Sequence, residues 1–329
     1  WWEKGRQSMM VSILGAGAFG TAMAVTIAKG QGAVTLWGRD KVSVSDMVKT
    51  RRNDRYLRGI HIPDNIVLTH NLKKALTSNI ICLSVPMQQL SNVLNACGSN
   101  LSDKILVACC KGVDLTTSEG PTALIQKYAP DATPAVLTGP SFAHDIAKGL
   151  PTALTLACVD PNARQICQDH LSTSTLRLYA SSDVIGAELG GALKNVIAIA
   201  CGATIGAGYG DSARAALMTR GYAEICRIAN VLGAKGGTLS GLSGFGDLCL
   251  TCMSEGSRNF SYGVSLGNGL GFDPSVTVEG VATAKAILDH PWLQGKDMPI
   301  TRLVHNLSSG EVPVKDAMQE LMSRPQKDE

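Results

Sequence analysis

The chain has 329 residues, 45% hydrophobic and 17% charged, with a formal net charge of +3 at pH 7. That length supports two domains with substantial cores, the balance excludes a disordered chain, and so small a charge excludes a dedicated nucleic-acid surface. Ten cysteines scattered through predicted strands and helices read as small buried hydrophobes of a reduced, cytoplasmic protein. Cys249 and Cys252 form a lone C-x-x-C with no second pair, so no metal site is expected. Residues 1–8 lack an apolar signal region and are set aside from the fold.

Val11–Leu14 is a short aliphatic run, the pattern of a buried parallel strand. It leads into Gly15-Ala-Gly17-Ala-Phe-Gly20, a complete G-x-G-x-x-G. A helix is predicted over Thr21–Lys29 and a second strand over Ala33–Trp37. Strand, glycine turn, helix and strand within about thirty residues give the motif its dinucleotide-binding context. Gly15 permits the tight turn, Gly17 removes a side chain where a pyrophosphate touches the backbone, and Gly20 allows close helix–strand packing. The second strand ends Trp37-Gly-Arg39-Asp40. An acid there suits the ribose hydroxyl of NAD and an arginine the extra phosphate of NADP, so both signals are present, with a lean to NADP.

Arg51–Arg58 is a basic run that reads as a solvated face, with Tyr56 a candidate for an adenosine-side flap. Strands follow at Asn79–Val85, Ile105–Cys110, Pro134–Leu137, Ala153–Ala157 and Leu176–Tyr179. Their alternation with helical intervals predicts an α/β fold with a doubly wound, parallel, Rossmann-type sheet. Ligands of such sheets sit at strand carboxyl ends, which places Lys111, Gly139 and Ser141 among the candidates.

The pattern changes near Ser181. Val184–Ala203 is apolar almost all round, the mark of a buried helix rather than a membrane span, because its neighbourhood carries Glu188, Lys194 and several glycines. Burial disfavours an ammonium, which makes Lys194 a candidate for proton transfer; the alternative is a lysine snorkelling from the helix edge. A second helix runs from Asp211 or Ser212 to about Leu232. Gly241–Asp247 delivers an acid to a helix start, that helix carries Thr251, and Ser257-Arg258-Asn259 is a turn suited to a phosphate. Thr277–Gly280 opens another helix, and helices near Ile300–Leu307 and Lys315–Met322 close the chain. With no strand expected after 184, the reading is a dinucleotide-binding domain over 9–183 and an all-helical substrate domain over 184–329.

Eight segments in order resemble the bacterial-type NAD(P)-dependent glycerol-3-phosphate dehydrogenase family: Gly15–Thr21, Leu36–Arg39, Cys110–Gly112, Thr138–Ala143, Gly190–Asn195, Gly244–Asp247, Ser257–Asn259 and Val278–Gly280. The resemblance implies reversible reduction of dihydroxyacetone phosphate to sn-glycerol 3-phosphate with NADP or NAD, for phospholipid synthesis. It implies Lys194 as proton donor to the ketone oxygen, Asp247 as its orienting partner and Lys111 as substrate ligand beside the nicotinamide. Ser141, Thr251, Ser257, Arg258 and Asn259 are implied on the substrate, beside the strand-end candidate Gly139. Phe19, Arg39, Ala143, Arg258, Thr277 and Glu279 match family positions lining the cofactor, and they join Gly15, Gly17, Ala18, Gly20, Tyr56 and Lys111 as the cofactor candidates.

The chain departs from the family where Ala18 replaces a frequent Ser, Phe19 a common Trp or Tyr, and Phe260 an Arg. The partners expected are a small phosphorylated substrate, no nucleic acid and a second copy in a homodimer. The rival readings are a dehydrogenase of similar build acting on a 3-hydroxy acid or sugar-acid phosphate, and a non-catalytic NADP sensor.

Overall fold

A computed structural model of the chain describes residues 10–31, 33–314, 316, 317 and 319. The N-terminal extension and most of the expected Lys315–Met322 helix lie outside them. The chain divides into two compact units, one formed by the residues up to Lys111 with Gly120–Val184, the other by Gly112–Glu119 with the chain from Ile185 onward. A domain over 9–183 would include 112–119; these residues instead group with the helical unit, where Val113 joins the core.

The first unit is built on an eight-stranded sheet with the order β10-β9-β8-β7-β6-β1-β2-β5. The strands are β1 (Val11–Leu14), β2 (Val34–Trp37), β5 (Ile66–Thr69), β6 (Ile80–Leu83), β7 (Ile105–Ala108), β8 (Thr133–Thr138), β9 (Thr152–Ala157) and β10 (Leu176–Ser181). β3 (Arg52–Asn53) and β4 (Leu57–His61) form a separate antiparallel hairpin. All four residues of β1 are buried, and likewise those of β6, as strands covered on both faces must be. Their side chains and those of the Ala18–Gln31 helix share one core containing Ile13, Met23, Ile27, Leu36 and Val107.

Two features differ from the expected parallel sheet. β8 and β9 pair antiparallel, Thr138 opposite Thr155. Between them the only regular element is the six-residue helix Ala143–Lys148, about 9 Å long, which falls short of the roughly 20 Å that a crossover must travel back along a six-residue strand. The stretch read as a basic face holds the β3–β4 hairpin, and the run after Pro63 adds β5 beside β2. The order reverses at β1, so the turn after β1 opens at the topological switch point, where open α/β sheets bind ligands.

The second unit is helical, and among the described residues no strand follows Ser181. Its axis is the 23-residue helix Val184–Gly206, long and apolar enough to cross a membrane by composition, yet 83% of the relevant window is buried inside the protein. Around it lie helices Gly210–Val231, Asp247–Cys252, Arg258–Gly267, Glu279–Asp289 and Pro299–Ser309. A Cβ on Gly202 would collide with Phe260 O, and one on Gly263 with Ile199 O. These glycines let the Val184–Gly206 and Arg258–Gly267 helices touch backbone to backbone, which fixes the Ser257–Asn259 turn relative to Lys194.

Candidate active site

The glycine turn is built by steric exclusion. Gly15 has φ +117°, and a Cβ there would collide with Ser84 O; one on Gly20 would collide with Gly15 O. A Cβ on Gly17 would meet nothing within 4 Å. Two glycines are therefore demanded by packing, while the third faces open space where a ligand can approach the backbone. The helix starts at Ala18, earlier than the sequence suggests, and Thr21 N donating to Gly17 O (3.0 Å) is its first internal bond. The amides of Ala18, Phe19 and Gly20 thus form the N-terminal turn that a diphosphate accepts from. Phe19 is partly buried against the core. On these observations the residues present fit a dinucleotide.

At the end of β2 the two competing signals separate. Asp40 caps the Lys41–Thr50 helix, accepting from Val42 N (3.1 Å), Ser43 N (3.3 Å) and Ser43 Oγ (2.5 Å). Those bonds, the Ser43 hydroxyl first, hold its carboxyl below the usual value. Arg39 beside it is exposed. Tyr56 is also exposed, at the tip of the β3–β4 hairpin, with the Arg55 guanidinium 5.2 Å from its ring centre.

Lys111 follows β7 and donates to Gly139 O (3.2 Å), as does Ser141 Oγ (3.2 Å). The carbonyl after β8 thereby gathers three candidates at one strand end. Ala143, first residue of the short helix beyond, packs partly against the core.

In the helical unit Lys194 is 7% exposed and Asp247 1%. Lys194 Nζ donates to Asp247 Oδ1 and to Thr251 Oγ1, both at 2.7 Å. The Thr251 hydroxyl donates onward to Asp247 O (2.6 Å), so its proton is directed away from the ammonium and its lone pair toward it. A π-helical turn over Leu242–Gly246 carries the chain into Asp247. It can form because Gly244 lies against Leu239, where a Cβ would collide with backbone, and Gly190 of the long helix lies against Ser243. Burial pushes the nearby Cys252 thiol well above its usual value, with Cys201 adding to it, so it stays a neutral packing group.

Ser257 Oγ caps the next helix by accepting from Phe260 N (3.3 Å). Arg258 opens that helix with its side chain exposed, and the buried Asn259 uses Oδ1 to accept from Gly280 N (2.9 Å). That bond ties the Arg258 turn to the start of Glu279–Asp289, where Glu279 is half-buried and Thr277 exposed.

The sequence candidates therefore fall into four clusters: the glycine turn, the Gly139 strand end, the Lys194–Asp247–Thr251 triad and the Ser257–Glu279 turn. Arg39 and Tyr56 stand apart on the surface of the nucleotide unit. One residue escaped sequence reading. Asn53, 6% exposed in β3, donates from Nδ2 to Ala16 O (2.9 Å) and Thr21 Oγ1 (2.8 Å). The signal was an uncharged amide inside a basic run, too weak to single out.

A Rossmann-type sheet with an open glycine turn, followed by a helical unit holding a buried lysine–carboxylate pair, defines the class of two-unit dinucleotide-binding proteins. Within that class the chain belongs to the NAD-dependent glycerol-3-phosphate dehydrogenase family, whose N-terminal model matches residues 10–164 and C-terminal model 183–319. A glycerol-3-phosphate dehydrogenase (NAD(P)+) of Ruegeria sp. (strain TM1040) is 54% identical over 321 residues, covering 98% of this chain and 100% of that protein. Another, from Cereibacter sphaeroides, is 55% identical over 320 residues, covering 97% and 100%. The crystal structure of glycerol-3-phosphate dehydrogenase from Coxiella burnetii is 33% identical with a TM-score of 0.89, covering 96% of this chain and 99% of that one.

Proposed function

We infer that the protein reduces dihydroxyacetone phosphate to sn-glycerol 3-phosphate, reversibly, using NAD(P)H, and so supplies glycerol phosphate for phospholipid synthesis. The observation that carries the chemistry is the buried Lys194–Asp247 pair, bonded at 2.7 Å. The bound nicotinamide would supply the hydride to the carbonyl carbon. As the C=O bond becomes C–O, charge grows on oxygen, and the Lys194 ammonium neutralises it by giving up a proton. Asp247 and Thr251 act by holding Nζ in one place, since a proton donor must be aligned before its acidity matters. In the oxidative direction Lys194 takes the hydroxyl proton.

The substrate phosphate is assigned to Ser257, Arg258 and Asn259, with the helix N-terminus adding to the arginine charge. Lys111, Gly139 and Ser141 are assigned to substrate from the nucleotide unit. On the cofactor we place Gly15, Gly17, Ala18, Phe19 and Gly20 at the diphosphate, with Arg39, Tyr56, Lys111, Ala143, Arg258, Thr277 and Glu279 as further contacts. The engagement of Asp40 as a helix cap leaves Arg39 as the selective group at the end of β2 and supports a preference for NADPH.

The cytoplasm is the proposed location, supported by ten cysteines that all carry free thiols. A homodimer is proposed through the helical unit, which exposes Tyr209, Met253, Leu270 and Trp292; sedimentation gives its mass.

The activity test is oxidation of NADPH, with NADH in parallel, by the purified protein on adding dihydroxyacetone phosphate, 3-keto acids or sugar-acid phosphates. Rapid oxidation with dihydroxyacetone phosphate, faster with NADPH, is expected. Binding of NADPH without turnover of any of these would overturn the reading in favour of a sensor.

A further inference from the structure

The hairpin that sequence patterning reads as a solvated basic face reaches back to the glycine turn. Arg51 closes the Lys41–Thr50 helix in the left-handed conformation (φ 53°) and pins the base of the hairpin. Its guanidinium donates to Ile62 O (3.1 Å), Pro63 O and Ile66 O (3.2 Å). From that anchored base Asn53 projects inward, and both hydrogens of its Nδ2 are engaged, by Ala16 O and Thr21 Oγ1. The amide orientation follows from chemistry, because a carbonyl oxygen only accepts and so requires the NH2 side. Three residues beyond Asn53 is exposed Tyr56, whose amide donates to Asn53 O (3.2 Å).

We propose that Asn53 is a positioning residue for the dinucleotide, aiming the Gly17 amide at the diphosphate. The peptide joining Ala16 to Gly17 is planar and trans, so its C=O and N–H point in opposite directions. Holding the carbonyl toward the hairpin turns the N–H toward the other side. Gly17 is the glycine of the turn whose missing side chain leaves open space. The second bond, to Thr21, ties the same amide to the helix turn that presents Ala18, Phe19 and Gly20. One buried side chain thus orients the loop donor and the helix donors together, and links them to the hairpin tip. Preorganised donors bind more tightly because their ordering precedes the ligand.

The inference rests on the dinucleotide reading, and one titration series separates the two. NADP+ is titrated calorimetrically into wild type, Asn53→Ala and Asn53→Asp, and kcat with dihydroxyacetone phosphate is measured at saturating NADPH. Failure of the wild type to bind NADP+ and, in a parallel titration, NAD+ would overturn the dinucleotide reading and the proposal with it. If wild type binds, Asn53→Ala is expected to raise the NADP+ Kd about tenfold, the loss of about one net hydrogen bond, with kcat within about twofold.

Asn53→Asp keeps the shape but sets a carboxylate against Ala16 O. It is expected to bind at least as poorly at pH 8 and to regain affinity toward pH 5.5, as the carboxyl takes up a proton and becomes a donor. Normal affinity in Asn53→Ala, a loss confined to kcat or to thermal stability, or a pH-independent deficit in Asn53→Asp would each overturn the assignment.

Discussion

The two units build their functional surfaces from different materials. In the nucleotide unit the groups proposed for binding are mainly backbone: amides at a helix start, a glycine with nothing beside it, and a strand-end carbonyl on which Lys111 and Ser141 converge. In the helical unit the central groups are side chains, and buried ones: Lys194, Asp247 and Thr251 are hydrogen-bonded together inside an apolar helical core. The difference follows from the tasks. A diphosphate is large, charged and held in place, which many weak, preorganised dipoles do well. A proton must leave from one atom at one moment, which requires a single titratable group fixed by its neighbours.

Mutations that respect one logic and break the other sharpen the contrast. After loss of Lys194 itself, the largest effect is expected from Asp247→Asn, which keeps the shape but removes the charge that holds Lys194. The expected fall in kcat is about 10²- to 10³-fold, with NADPH affinity near wild type. Steady-state kinetics with a fluorescence titration check both halves, and a matched loss of cofactor binding would show that the units are not divided in this way. Next comes Arg258→Ala, which would remove the charge-assisted bonds proposed to the substrate phosphate, about 1.5–3 kcal/mol, and should raise KM for dihydroxyacetone phosphate about 10- to 100-fold. An unaltered KM would count against Arg258 as the phosphate ligand.

The third comparison is within the glycine turn. Gly20→Ala should destabilise the protein by about 1–3 kcal/mol in urea denaturation, because its Cβ would collide with Gly15 O. Gly17→Ala should fold with wild-type stability to within about 0.5 kcal/mol and weaken NADPH binding instead. Equal stability losses in the two variants would remove the distinction between a packing glycine and a ligand-facing one.

The smallest effect concerns Glu224, a buried carboxylate in the helical unit that accepts from Ile300 N, Thr301 N and Thr301 Oγ1 at 2.6–2.9 Å. Burial raises its pKa above the ordinary value of 4.5, against the opposing hydrogen bonds. The unfolded chain then releases this proton at lower pH than the folded one. The residue's contribution to stability therefore declines as pH rises from about 4.5 through the folded pKa, and is flat above it. Denaturation curves of wild type and Glu224→Gln across that range should converge with rising pH, and a constant separation would contradict the assignment.

Most of the fold was legible because glycine spacing and apolar runs are local signals. Val11–Leu14, the G-x-G-x-x-G turn and the apolar helix around Lys194 are each written in consecutive residues. The antiparallel β9 was not legible, since strand direction depends on how a connector folds, and an apolar run of either direction looks alike. Residues 112–119 were assigned by sequence continuity, but Val113 packs in the helical core. Asp40 displayed the signature of a ribose ligand, and only the geometry of Val42 and Ser43 reveals it as a helix cap. Asn53 was invisible for the complementary reason: its partners lie 37 and 32 positions away.

The most direct measurement compares wild type with Lys194→Ala, following dihydroxyacetone phosphate-dependent NADPH oxidation and NADPH binding on the same preparations. The expected result is a kcat reduced about 10³-fold or more with the NADPH Kd within about twofold of wild type. Undiminished turnover in Lys194→Ala would contradict the account, because the buried lysine would then have no part in the chemistry.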